Sequence, residues 1–330
     1  MVEQHPESHG GHVPVLFQEV MDALRPTPGG RYIDGTLGAG GHAAGLLAAS
    51  APDGRLLGLD RDPAAIAYAA QRLAPFGARA TLVVASFGDL ADVAAAHGFD
   101  AADGIVFDLG LSSRQLDDAA RGFSFQQDGP LDMRFDARSG ATAADLINNL
   151  DAEELADIFF RYGEEQQSRR IARLIVTHRP LHTTAELATL IAREARRSGR
   201  PGRHPATKVF QALRIAVNGE LEEIARGLRG AVERLAAGGR LAVISFHSLE
   251  DRLVKEFMRE NSRACICPPQ QPVCTCGARP ALRLVSRKAI KATDDEIAAN
   301  PRSRSARLRV AEKSDGELRI QETGAVDRRA

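Results

Sequence analysis

Apolar and polar positions along the first 110 residues switch between two periods. Short apolar runs at residues 32–34, 55–60, 81–85 and 104–108 read as buried strands, with helical patterns starting at His42, at Pro63 and near Asp89. Short strands separated by helices mean βαβ units and a parallel sheet. The alternation then stops. Between about residues 113 and 205 there is no comparable strand, only loop signals and helical segments, two of them opened by the capping boxes Asp151/Glu154 and Thr183/Glu186. It resumes with one long helical stretch from Ala206 to about Ala236 and a Gly238-Gly239 stop. A strand at 240–245, a helix at 250–260 and strand candidates at 282–285 and 307–310 follow. The expected fold is an α/β nucleotide-binding sheet split by a helical insert after its fourth strand. Residues 1–112 with 206–313 are expected to form the sheet domain, 113–205 the insert, and 314–330 a polar, mobile tail. Such an insert starts at the carboxyl ends of the strands, where open α/β sheets bind ligands.

The first strand ends in a carboxylate and a glycine turn, Asp34-Gly35-Thr36-Leu37-Gly38-Ala39-Gly40-Gly41-His42. Gly38 to Ala43 fits the dinucleotide pattern G-x-G-x-x-A, in which a pyrophosphate sits on the helix N-terminus. Asp34 would repel that pyrophosphate and attract a sulfonium with an amino-acid tail. S-adenosylmethionine therefore ranks above a nicotinamide cofactor, and a ligand-free structural turn ranks third.

Asp60 ends the second strand, where an acid hydrogen-bonds ribose hydroxyls; its alternative role, a helix cap, is already filled by Asp62. Asp108 ends the fourth strand and opens Asp108-Leu109-Gly110-Leu111-Ser112-Ser113. Enzymes that methylate exocyclic amines often carry Asp/Asn-Pro-Pro-aromatic here, because acceptors that hold the N–H groups out of conjugation direct the nitrogen lone pair at the methyl carbon. The prolines and the aromatic are missing. Asp108 is thus open to a role toward the cofactor, the amine or both, and the segment through Ser112 faces the same edge. His247, after the strand at 240–245, is either a hydrogen-bonded structural group or a substrate-positioning one. Phe87, after the third strand, covers an adenine or belongs to the core.

Methylation at a pyrimidine carbon would need a nucleophilic cysteine at a strand end. All four cysteines, Cys265, Cys267, Cys274 and Cys276, lie instead in one proline-containing loop. Their C-x-C-x6-C-x-C pattern has the ligand count of a structural zinc site but not its commonest spacing. A metal-free loop is the expectation, with no metal ligand assigned, and disulfides are disfavoured in a reducing compartment.

Charge changes the picture more than composition does. The chain has 330 residues, 44% hydrophobic and 26% charged, ordinary for a soluble protein. No apolar run approaches the roughly 18 residues of a membrane span, and Met1 to Gly10 is polar and acidic rather than signal-like, so a cytoplasmic protein is expected. The zero net charge conceals a split: −13 over residues 1–160 and +13 over residues 161–330. Residues 161–214 alone carry 12 basic and 4 acidic side chains. Part of that excess is a solvated helical face, and the remainder fits phosphate contacts.

These residues closely resemble the bacterial small-subunit rRNA cytosine-N4 methyltransferases, the RsmH (MraW) family. The matching segments are His12-Val13-Pro14-Val15-Leu16, Asp34 through His42, Asp60-Arg61-Asp62-Pro63 and Asp108 through Asp117. Further matches are Arg121 to Phe125, Asp128 to Arg134, His204 to Thr207, Phe210 to Asn218, Ile244 to Asp251 and Asn300 to Ser305. The resemblance implies a Rossmann-like class I methyltransferase sheet with an inserted helical substrate-recognition domain. It also implies S-adenosylmethionine as cofactor and 16S rRNA of the small ribosomal subunit as substrate. The target would be N4 of a decoding-centre cytidine, conventionally position 1402. Cofactor positions fall on Gly40, Gly41, His42, Asp60, Phe87, Asp108 and Gln115, beside Asp34 and Gly38 from the loop itself. The cysteine cluster is not part of the family's shared motif. The rivals are a nicotinamide dehydrogenase and a noncatalytic RNA chaperone. The assembly state of the rRNA substrate, the oligomeric state and any general base are not legible.

Overall fold

The computed structural model describes residues 14–196, 204–268, 270–271 and 273–319. His12 and Val13 of the first matching segment, Met1 to Gly10, residues 197–203 of the basic stretch and residues 320–330 lie outside the described residues.

In chain order the first half of the sheet unit runs α1 (Phe17–Leu24), β1 (Arg31–Asp34), α2 (Gly41–Ala49), β2 (Arg55–Asp60), α3 (Pro63–Leu73), β3 (Ala80–Val84), α4 (Leu90–Ala96) and β4 (Ala102–Asp108). Six helices follow: α5 (Ser113–Asp117), α6 (Ala143–Asn149), α7 (Ala152–Gly163), α8 (Ser168–Thr177), α9 (Thr184–Arg196) and α10 (Thr207–Asn218). The chain closes with α11 (Glu220–Arg234), β5 (Leu235–Ser245), α12 (Ser248–Asn261), β6 (Leu282–Leu284), α13 (Asp294–Ala299) and β7 (Arg307–Lys313). All seven strands belong to one sheet in the order β3-β2-β1-β4-β5-β7-β6. β1 to β5 are parallel, and β7 runs antiparallel between β5 and β6.

The parallel strands are apolar on both faces because helices cover both; Leu56, Leu57, Leu59, Ile105, Val106 and Phe107 are all fully buried. Strand order reverses at β1, which lies between β2 and β4. Chains leaving β1 and β4 diverge there and open a crevice at the carboxyl edge. Asp34, Asp60, Asp108 and Ser245 end four parallel strands and therefore share that edge.

The chain divides into two compact units, residues 1–110 with 224–330 and residues 111–223. In the second unit Phe159, Ile171, Ile175, Leu187, Val209 and Leu213 form a helical core. The unit ends later than the expected boundary at 205/206, because α10 packs on α7. A Cβ on Gly163 would come within 2.6 Å of the Lys208 carbonyl, so only glycine allows this helix approach. Asn218, buried at the end of α10, donates to the Met133 carbonyl and accepts from the Phe135 N–H, both at 2.8 Å. Arg214 and Glu220 form a two-pronged buried ion pair at 2.8 and 2.9 Å.

Three further expectations are corrected. The helical stretch from Ala206 to Ala236 is two helices, broken where Gly219 adopts a left-handed φ of 60°. Gly238-Gly239 does not stop the element; β5 begins at Leu235 and absorbs Gly238 (φ 78°) as an irregularity against β4. The tail expected from residue 314 is anchored through residue 319. Arg319 donates its backbone N–H to Asn261 Oδ1 (2.7 Å) and its guanidinium to the carbonyls of Glu260 and Arg263 (3.0 and 2.6 Å).

Candidate active site

Asp34 is 2% exposed, and its carboxylate accepts the N–H of Thr36 (3.1 Å) and that of Ala43 in the first turn of α2. Burial outweighs those bonds, Asp60 adds its charge, and the carboxyl is pushed up to about 7. Asp108 is held by its backbone: its N–H donates to Thr36 Oγ1 at 2.6 Å, and the Gly35 N–H donates to the Val106 carbonyl at 3.0 Å, joining the β1 and β4 loops. The Asp108 side chain is 27% exposed, yet Oδ1 is buried without a hydrogen-bond partner among the described residues. Burial, then the charges of Asp34 and Glu250, push this carboxyl up to about 8. Neither aspartate is paired with a lysine or arginine among the described residues. His42 stands beside Asp108, with Nδ1 3.9 Å from Oδ2, Nε2 3.1 Å from the Val15 carbonyl and the ring stacked against Phe17.

Asp60 fixes the glycine turn from the next strand. Oδ2 accepts the Gly38 N–H and Oδ1 the Asp62 N–H, both at 2.9 Å, while Asp62 caps α3 through the Ala64 N–H as expected.

The glycines divide by what surrounds them. A Cβ on Gly41 would lie 2.3 Å from Pro14 Cγ, and one on Gly35 2.4 Å from the Phe107 ring. Gly40 combines a φ of 72° with close contact to Ala69 and Leu73. Gly38 alone of the four would bring a Cβ no closer than 3.8 Å to its nearest neighbour, the Thr36 carbonyl oxygen, and it has a φ of 49°. Internal packing thus accounts for Gly35, Gly40 and Gly41, and close approach by a ligand is left to Gly38.

Other expected residues have structural work of their own. Phe87 is half-buried, with its ring 5.1 Å from that of Phe107 and its side chain filling the space above Gly227. His247 caps α12: the Glu250 N–H donates to Nδ1 (3.4 Å), and Glu250 Oε2 accepts the N–H groups of Phe246 (2.8 Å) and His247 (3.2 Å). In the second unit Ser112 and Gln115 form the capping box of α5, with Oγ accepting the Gln115 N–H (3.2 Å) and Oε1 the Ser112 N–H (3.1 Å). Gln115 is buried.

Sequence reasoning passed over Thr36 and Glu250. Glu250 is fully buried and faces Asp108; the pattern His247-x-x-Glu250 at a helix start was the available signal, and it pointed to a cap rather than to the Asp108 site.

A reversed parallel sheet with an antiparallel seventh strand inserted beside β5, carrying acids at the ends of β1, β2 and β4, defines a Rossmann-like class I methyltransferase fold. Comparison with known proteins narrows the class. The sequence pattern of the MraW methylase family matches residues 9–314, and the chain belongs to that family. Ribosomal RNA small subunit methyltransferase H of Thermomicrobium roseum is 55% identical over 305 residues, covering 92% of this chain and 93% of that protein. The protein of the same name from Syntrophotalea carbinolica is 54% identical over 303 residues, covering 90% and 96%. No helix among the described residues is long and apolar enough to cross a membrane.

Proposed function

We propose that this chain transfers a methyl group from S-adenosylmethionine to N4 of a cytidine in the decoding centre of small-subunit rRNA. The observation that carries the cofactor assignment is the environment of Asp34. In a dinucleotide site the N-terminal amides of the helix after β1 hold a pyrophosphate. Here Asp34 already takes the Ala43 amide of α2, and a phosphate brought there would meet a buried carboxylate. A buried Asp34 and a half-buried Asp108, neither paired with a lysine or arginine among the described residues, fit a ligand that carries positive charge.

S-adenosylmethionine supplies a methyl group already activated by its sulfonium. The chain's share is binding, alignment and handling of the amine's protons, and good positioning is worth roughly 7 to 11 kcal/mol. In this reading Asp34 and the Gly38 turn hold the cofactor's amino-acid end, Asp60 its ribose, and Phe87 its adenine. Asp108 Oδ1, which has no donor among the described residues, accepts an N–H of the target amine and steers the nitrogen lone pair away from the ring. His42 backs Asp108 from the side of α1 and α2. His247 acts through the cap that places Glu250. For Gln115 and Ser112 the family resemblance is the only support.

The printed names of the relatives support rRNA as substrate. In the insert, Arg170 pairs with Glu194, Arg179 holds the Ile147 and Leu150 carbonyls, Lys208 holds the Glu164 carbonyl and Arg214 pairs with Glu220. Arg169, Arg173 and Arg193 are exposed. These three are assigned to phosphate contacts. The target base must leave its stack to be methylated.

The test is nucleoside mass spectrometry of rRNA from a strain lacking this gene, complemented with the wild type or with Asp108→Ala. N4-methylcytidine returns with the wild type and not with the variant. Its return with both rejects the role of Asp108, and its presence in the deletion strain rejects the substrate.

A further inference from the structure

Between α12 and β6 the described residues from Ser262 to Ala281 form no helix or strand, and none of those from Ser262 to Pro280 is buried. Its larger apolar side chains are turned outward, Ile266 54% and Val273 68% exposed. A loop of this length with no apolar core has nothing of the ordinary kind to hold its shape. What it does have is four sulfurs in one place. One Sγ from each of Cys265, Cys267, Cys274 and Cys276 lies within 4.8 Å of the others, with Cys274 to Cys276 at 3.5 Å and Cys276 to Cys265 at 3.9 Å. Four thiolates around a tetrahedral zinc at a Zn–S distance of about 2.3 Å stand about 3.8 Å apart, so the cluster already has nearly the required size.

The backbone is arranged around the same point. Spacing by two residues puts both sulfurs of each C-x-C pair on one side of an extended chain, and the two pairs face each other. The Ile266 N–H from the first pair donates across the loop to Cys276 Sγ at 3.5 Å, and the Ala278 N–H donates to the same sulfur. The Thr275 N–H is directed at Cys267 Sγ. The turn that brings Ala278 back is made at Gly277, which has a φ of 57° and open space around it, so the conformation itself calls for glycine. Amides aimed at sulfur stabilise thiolates and orient them for a metal.

We infer that Cys265, Cys267, Cys274 and Cys276 bind one structural zinc ion that holds the loop between α12 and β6 in shape. Binding releases the thiol protons to solvent and leaves the metal with no open position, so the ion has no part in methyl transfer. The site is independent of the proposed cofactor and substrate. The spacing alone had favoured a metal-free loop; convergence of the sulfurs and the amides turned toward them are what change that reading.

Elemental analysis of the full-length protein, purified under reducing conditions without chelator and then exposed to zinc and desalted, is expected to find one zinc per chain. Cys265→Ser with Cys276→Ser should lower that content at least tenfold, while Thr275→Ala leaves it unchanged. Cobalt substitution of the wild type keeps the test independent of how the variant folds: a tetrathiolate site gives sulfur-to-cobalt charge-transfer bands and intense visible d–d bands. Zinc below a tenth of an ion per chain after reconstitution, cobalt spectra without charge transfer, or disulfides among the four cysteines in the reduced preparation would each overturn the assignment.

Discussion

The insert's capping carboxylates and the two aspartates at the ends of β1 and β4 are treated in opposite ways, although Asp251 and Glu312 of the sheet unit are held down by arginines as the insert's acids are by their partners. In the insert, Asp128 is held below its ordinary value chiefly by the Ala185 amide, Asp145 by the Thr142 amide and Glu186 by the amides of His182 and Thr183. At Asp132 burial works upward, but the Arg134 guanidinium outweighs it. At the strand ends Asp34 and Asp108 sit at about 7 and about 8 because burial dominates, helped by the charge of Asp60 at Asp34 and by those of Asp34 and Glu250 at Asp108. Acids of the first kind cap helices and brace loops, and they favour the folded chain. Acids of the second kind disfavour it at neutral pH, and their retention is explained by a cationic ligand rather than by stability.

Removing one acid of the second kind breaks the comparison most sharply. Asp108→Ala is expected to lower the methylation rate about 10²- to 10³-fold, the loss typical of one charge-stabilising acceptor, while thermal stability at neutral pH stays level or rises. Single-turnover assays and thermal melts read the two arms. An unchanged rate would remove Asp108 from the chemistry.

The next effect is on pH. Asp34 and Asp108 titrate higher in the folded chain than in the unfolded one, so the folded chain binds more protons between about pH 4 and pH 8. Their contribution to stability therefore falls as pH rises through that window. The charge of Asp60 acts on Asp34 and that of Glu250 on Asp108, with the His42 ring 3.9 Å from Asp108 Oδ2. The insert's acids contribute in the other sense, adding stability above about pH 4 that is lost in acid. S-adenosylmethionine affinity should rise about tenfold per unit between pH 5 and pH 7, as a carboxyl must ionise to meet the sulfonium. Titration calorimetry across that range checks it; a flat profile would show that the acids are already ionised.

Asn218→Ala sharpens the comparison from the other unit. It leaves the Phe135 N–H and the Met133 carbonyl without their buried partner and should cost about 1 to 3 kcal/mol in denaturant unfolding, with S-adenosylmethionine affinity unchanged. The smallest effect belongs to the exposed arginines. Replacing Arg169, Arg173 and Arg193 singly with Ala should each lower the salt dependence of rRNA binding by about one unit, without altering cofactor binding. Variants that bind RNA with the wild-type salt slope would place the phosphate contacts elsewhere.

The sheet was legible because strands covered on both faces are continuous apolar runs, and β1, β2 and β4 each stop at an aspartate. Asp62 as the α3 cap and the box at Asp151/Glu154 were legible for the same local reason. What escaped depends on contacts distant in sequence. No local pattern told that a Cβ on Gly41 would strike Pro14 while one on Gly38 would meet only the Thr36 carbonyl at 3.8 Å, or that the charge of Glu250 acts on Asp108. The insert's end was misplaced because residues on both sides of Gly219 carry one helical period, and only packing on α7 assigns α10. The four thiols stand up to eleven residues apart along the chain, and only the folded loop brings them together.

Asp34 and Asp108, raised in pKa and unpaired with lysine or arginine among the described residues, are proposed to meet a positive charge, and proton release on binding tests this most directly. Calorimetry of S-adenosylmethionine binding near pH 6.5, in two buffers of different ionisation enthalpy, should show protons leaving the protein. S-adenosylhomocysteine, which lacks the sulfonium charge, should release fewer. Equal release by the two ligands, or none by either, would contradict the role given to Asp34 and Asp108.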